Sequence, residues 1–231
     1  MPALAALLEE NEAERTRLGA DPARAALLAR LKAWQAARLS RSYADLAATP
    51  RYAAAAAFFL GELYGGEYAT PRDRDLKRAA GALERLLPAK ALAVLKRAIA
   101  LEITTQRLDA ALAAALPPGA PIDAASYADA YRRSAPRAER EAQLQAIVEV
   151  GTVLDRLVKH AALGVLLKVA RAPAHAAGLG ALQGFLERGF AAFRATGGAA
   201  EFLATIAERE SQLLAQLYAG KADALAGVGP C

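Results

Sequence analysis

Apolar positions recur with helical rather than strand spacing along almost the whole chain. From Ala89 to Leu116, Leu92, Leu95, Ile99 and Ile103 fall on one side of a helical wheel, and Val94, Leu101, Leu108 and Leu112 on the other. A helix that is apolar on two faces sits in the middle of a bundle. The stretch from Pro136 to about Arg171 behaves similarly, with Ile147, Val150, Leu154, Leu157 and Val158 on one side and Val153, Leu163 and Leu167 widening the stripe. The pattern predicts an all-α, single-domain multi-helix bundle of about eight helices around these two long central helices.

Proline and glycine mark the boundaries. Asp21-Pro22, with Asp as N-cap and Pro at the first helical position, opens a helix to about Ala48. Thr49-Pro50 opens an alanine-rich helix to about Tyr64, stopped by Gly65-Gly66. Thr70-Pro71-Arg72-Asp73 reads as a capping box starting a helix that ends near Leu87. After the helix closed by Pro117-Pro118-Gly119 come a short helix over Asp123 to Ser134, the long helix broken by Pro173, and helices over Ala174 to Ala195 and Ala199 to Ala219. Residues 1–20 form a charged segment expected to pack loosely, residues 21–220 the bundle domain, and residues 221–231 a disordered tail.

Composition sharpens this reading without changing it. At 231 residues and 55% apolar content the chain has enough material for a core, and its excess of Ala and Leu is that of helices. The single cysteine, Cys231, excludes an intrachain disulfide and points to the cytoplasm. The most apolar stretch, Leu144 to Ala170, carries Glu149, Asp155, Arg156, Lys159 and Lys168, so no membrane span is expected. The net charge of +5 is spread in mild patches, which read as solvated helix faces and make a nucleic-acid partner unexpected.

Familiar chemistries lack their residues. No Glu-x-x-His occurs for a di-iron bundle, and with His160 and His175 the only histidines, no metal site and no cofactor is expected. No nucleophile elbow, phosphate loop or dinucleotide fingerprint is present. Glu149, Arg156 and His160 form a stripe at i, i+7 and i+11, read as a polar seam between helices, with a ligand role as the alternative. Arg30, Trp34, Arg38 and Arg41 share another stripe, where an indole between guanidinium groups suits a surface contact with a phosphate-bearing partner. The competing reading makes Trp34 an edge-of-core residue with arginines snorkelling around it. Gly180-x-x-x-Gly184 makes a notch for close helix packing or a dimer contact.

One stretch, Phe58-Phe59-Leu60-Gly61-Glu62-Leu63-Tyr64, places an acid on a helix that is apolar nearly all round. Glu62 is therefore expected to be partly buried and paired, with Arg72 or Arg74 as the candidate partner; the alternative is a functional acid in a pocket. Asp73 is expected to cap Thr70 and to pair with Lys77. The stretch resembles the signature of the bacterial FFLEELY-motif proteins, with Gly61 in place of the first Glu. The likeness extends through Trp34-Gln35, Pro50-Arg51-Tyr52, Arg72-Asp73, Leu182-Gln183, Phe185-Leu186-Glu187 and the Thr205-Ile206 to Arg209-Glu210 segment. It implies a bacterial origin and carries over no catalytic residues.

Three functions follow. The first is a non-enzymatic helical scaffold, acting as a homodimer or with a protein partner. The second is a binding module for an apolar or anionic small molecule in the bundle core, near Glu62, Arg51 and Tyr64, near Arg72, Asp73 and Arg74, or at the Glu149, Arg156 and His160 seam. The third is an enzyme using Glu62 and neighbouring Arg and Asp residues as acid and base.

Overall fold

A computed structural model describes residues 2–63, 69–117, 119–221 and 225. Among them are eleven α-helices and no strand: α1 Leu4–Gly19, α2 Pro22–Ser42, α3 Ala44–Ala48, α4 Pro50–Phe58, α5 Ala69–Leu86, α6 Ala89–Ala115, α7 Ala124–Ser134, α8 Arg137–Val158, α9 Ala161–Ala176, α10 Gly180–Ala195 and α11 Ala200–Tyr218. A π-helical turn, Phe59–Leu63, extends α4. No described helix is long and apolar enough to cross a membrane.

The all-helical class agrees with the sequence pattern, but the helix count exceeds the expected eight or so. Two of the extra breaks carry neither Pro nor Gly. The helix expected to reach Ala48 stops at Tyr43, whose φ of -120° and ψ of 20° separate α2 from α3. The helix expected over 136–171 breaks at Lys159-His160, where His160 adopts the extended ψ of 108° as the residue before α9. Pro173, expected to break a helix, lies inside α9 instead. It stands near the end of a helix that buries no residue, so the Val169 carbonyl it cannot serve is open to water. The helix ends three residues later, at Ala176, in a Schellman turn: Gly178 at φ 69°, Gly178 N donating to His175 O at 2.9 Å and Leu179 N to Ala174 O at 2.8 Å.

Asp21 and Asp123 cap as the sequence predicts, Asp21 accepting from Ala23 N at 2.9 Å and Asp123 from Ser126 N at 2.8 Å. The capping box expected at Thr70 falls on a side chain outside the described residues, and Thr70 itself lies within α5. Leu4, Leu7, Leu8 and Leu18 of α1 are buried, and Asn11 accepts from Gln106 of α6 at 3.0 Å.

Three apolar clusters make up the interior. One gathers Leu31, Trp34, Leu112, Tyr127 and Leu217, where α2, α6, α7 and α11 meet. A second joins Tyr43, Tyr52, Val158, Phe193 and Phe202. The third packs α1 and α5 on the first half of α6 through Leu4, Leu76, Ile99 and Ile103. The two-faced helix α6 thus contributes to two cores, as its pattern implies. By contrast, α8 buries only Arg140, Gly151, Asp155 and Val158 and keeps a long face open. Its closest contact is with α11, where a Cβ on Gly151 would stand 2.5 Å from Leu203 Cδ2.

Candidate functional site

The residues singled out in the sequence fall into three places. The first is a set of joints around α10. Glu62 accepts from Arg188 Nε at 2.5 Å and Nη2 at 3.1 Å, a two-point pair between the π-turn and α10. The expected partners Arg72 and Arg74 are engaged elsewhere or exposed. Arg72, 9% exposed, donates to Asp73 at 2.8 Å, lies 3.5 Å from Glu102 and covers the Phe185 ring at 4.7 Å; Arg74 is exposed. Asp73 turns to Arg72 and Arg15 rather than to Lys77, which pairs with Glu12. Burial pushes the Asp73 carboxyl up, against the pull of Arg72 and Arg15.

The ends of α10 are held from outside the helix. Asp75 accepts from Ala181 N at 3.0 Å and Leu182 N at 3.1 Å, serving the open amides of its first turn. Arg51 donates to Thr196 O at 2.5 Å and Gly198 O at 3.0 Å beyond its last turn. Tyr52 donates to Glu201 at 2.6 Å, and Asp155 accepts from Ala199 N at 2.8 Å at the start of α11. Burial opposes ionisation of Asp155, but Lys159 and the Ala199 amide outweigh it and hold its carboxyl low. At the Gly180-x-x-x-Gly184 notch, added Cβ atoms would meet the His175 ring at 3.1 Å and the Arg188 guanidinium at 2.9 Å, so side chains of the same chain lie against it. A close approach lies further along, where a Cβ added to Gly189 would stand 2.9 Å from the Phe58 ring. Tyr64 lies outside the described residues.

The second place is an interior polar cluster. Trp34 is 0% exposed and stacks on Tyr127 at 4.2 Å, so it offers nothing to a surface partner. Its stripe is split: Arg30 donates to Ala120 O at 2.9 Å, Arg41 is exposed, and Arg38, 8% exposed, pairs with Glu210. Beside them Gln35 donates to Asp109 at 3.1 Å, and Arg140, 3% exposed, lies over the Tyr131 ring at 4.4 Å. Burial pushes the Asp109 carboxyl up, and the Gln35 hydrogen bond and nearby Lys32 and Arg140 only partly offset it.

A raised carboxyl pKa has a definite sign. The folded state holds the Asp109 proton more tightly than the unfolded state, so stability falls as pH rises from the ordinary 3.8 through the folded value. Asp109→Asn, which keeps the acceptor for Gln35, is expected to melt higher than wild type at neutral pH. Calorimetry should show the gap narrowing as pH falls towards 4, the ordinary range of an aspartate.

The third place is a groove of about 540 Å³ along the outer face of α8, walled by Arg97 of α6 and by Ala207, Ser211 and Leu214 of α11. Glu149 and Arg156 both line it. His160 does not, because the helix break at Lys159 takes it out of the stripe and leaves it exposed. The groove mixes apolar side chains, Leu144, Val148, Val153 and Leu214, with charged ones. Among the described residues no group of three or more His, Cys, Asp or Glu is arranged to hold a metal ion.

A family model described as a domain of unknown function, DUF8198, matches residues 14–224. The chain belongs to that family. No curated protein and no solved structure gives a match. The DUF8198 match begins inside α1 and runs past α11, so the joints, the polar cluster and the groove all lie within it.

In this DUF8198 chain Glu62, the one acid of the Phe58–Leu63 stretch, meets Arg188 of α10. Sequence reasoning reached Arg38, touched Glu210 only through the family likeness, and missed Asp109 and Arg140. A faint signal existed: Gln106 and Asp109 are polar residues on α6, otherwise apolar on two faces, and such residues need interior partners.

Proposed function

We propose that this chain is a non-enzymatic helical scaffold of the bacterial cytoplasm that acts through protein contacts, its first partner being a second copy of itself. The observation that carries the reading is the free face of α9. This helix buries no residue, yet Ala162, Val165, Leu166 and Val169 form a ridge at i, i+3, i+4 and i+7, with Val165 61%, Leu166 51% and Val169 69% exposed. Two such ridges related by a two-fold axis cover each other, and the small Ala162 lets the backbones approach. The likeness of Phe58 to Leu63 to the FFLEELY signature fits a scaffold, because Phe58 packs on Phe185 and Gly189 while Glu62 ties the π-turn to α10.

Size-exclusion chromatography with light scattering tests this. The wild-type chain is expected to run at twice the chain mass at micromolar concentration, and the Val165→Glu/Val169→Glu variant as a monomer of unchanged helicity. A wild-type monomer across that range overturns self-association through α9.

A further inference from the structure

We propose that the groove on α8 binds an amphipathic monoanion, a long-chain carboxylate, with its chain over Leu144, Val148 and Leu214 and its carboxylate on Arg156. The charge pattern selects this chemistry. Three arginines line the groove, and two are already matched within it: Arg137 donates to Glu141 at 2.7 Å, and Arg97 lies 3.7 Å from Glu149. Arg156, exposed at the C-terminal end of the groove, makes no ion pair among the described residues. The adjacent carboxylate, Asp155, is buried and is taken up by Lys159 at 2.6 Å and Ala199 N at 2.8 Å. One cation is therefore left over an apolar floor, which suits one negative charge at the end of an apolar body.

The volume suits a single chain: about 540 Å³ lies within the range of small-molecule pockets, roughly 300 to 1,000 Å³. The low wall on the α11 side comes from Ala207 and Ser211, whose small side chains leave the floor uncovered. Thr152 spends its hydroxyl on Val148 O at 2.7 Å, so the middle of the floor presents no free hydroxyl of its own.

Isothermal titration below the micellar concentration, with laurate, dodecyltrimethylammonium and dodecanol as probes, tests the proposal. Laurate is expected to bind one per chain, and the cation not at all. Arg156→Gln should weaken laurate about tenfold while leaving dodecanol unchanged, the loss expected for one charged hydrogen-bonding partner. Ser211→Trp should close the groove to both; if it does not fold, Ala207→Leu replaces it, with far-UV circular dichroism as the check on folding. Equal binding of the anion and the cation, an Arg156→Gln chain as tight as wild type, or no laurate binding overturns the proposal. The Val165→Glu/Val169→Glu chain should bind laurate like wild type, so failure here and failure of self-association are told apart.

Discussion

Trp34→Ala is expected to destabilise the fold by about 3–5 kcal/mol, the range for deleting a buried large aromatic. The indole is 0% exposed and belongs to the cluster formed by Leu31, Leu112, Ala130 and Leu217. It stacks on Tyr127 with ring centroids 4.2 Å apart and planes 25° from parallel, and Tyr127 in turn meets Tyr131 at 5.8 Å. Its Nε1 finds no hydrogen-bond partner among the described residues, so truncation breaks no polar contact and the loss is one of packing. Two results separate this account from a surface role. Trp34→Phe, which keeps an aromatic ring against Tyr127, should recover much of the stability measured by urea unfolding followed by circular dichroism. Wild-type emission from this only tryptophan should be that of an apolar site and should resist quenching by iodide. A Trp34→Ala cost below about 1 kcal/mol, the level of an ordinary surface substitution, would place the indole outside the core.

The same residue shows how far the sequence could be read. Helical spacing put Arg30, Trp34 and Arg38 on one stripe correctly, but which neighbours cover a stripe is decided by the rest of the fold. Here α7 brings Tyr127 over the indole, and α11 brings Glu210 to Arg38 across a separation of 172 residues. Local signals behaved differently. Asp21 and Asp123 cap within their own turns, and the two-faced pattern of α6 follows from its own composition. The breaks at Tyr43 and Lys159-His160 carried no Pro or Gly and were invisible. At both, a side chain ties the break to α11: Tyr43 donates to Glu210 at 2.6 Å, and Asp155, paired with Lys159, accepts from Ala199 N at 2.8 Å. Glu62 was expected to pair with Arg72 or Arg74 and meets Arg188 instead, which reaches it only once α10 has packed against α4.

Glu210→Ala is expected to cost about 3 kcal/mol, near the lower end for breaking a buried ion pair, because the Glu210 side chain keeps 21% of its exposure. Two groups depend on this carboxylate. The Arg38 guanidinium, on a residue only 8% exposed, pairs with it, and the Tyr43 hydroxyl donates to it at 2.6 Å. Alanine removes both contacts, whereas Glu210→Gln keeps an acceptor for Tyr43 and should cost less. Tyr43 supplies a second readout. Burial, then the Glu210 charge, raises its pKa above 10.0, so the neutral phenol is favoured in the folded state. Stability is therefore expected to fall as pH rises past 10, where the unfolded tyrosine ionises and the folded one does not. In Glu210→Gln the Tyr43 transition should move towards lower pH in an ultraviolet titration, while staying above the ordinary value because burial remains. The decisive comparison is the double replacement Arg38→Met/Glu210→Leu. Removing both charges together is expected to restore most of the stability lost in Glu210→Ala, since the penalty lies in taking the Glu210 counter-charge from a largely buried guanidinium more than in losing the pair. A double variant as unstable as Glu210→Ala would instead assign the loss to packing around Tyr43.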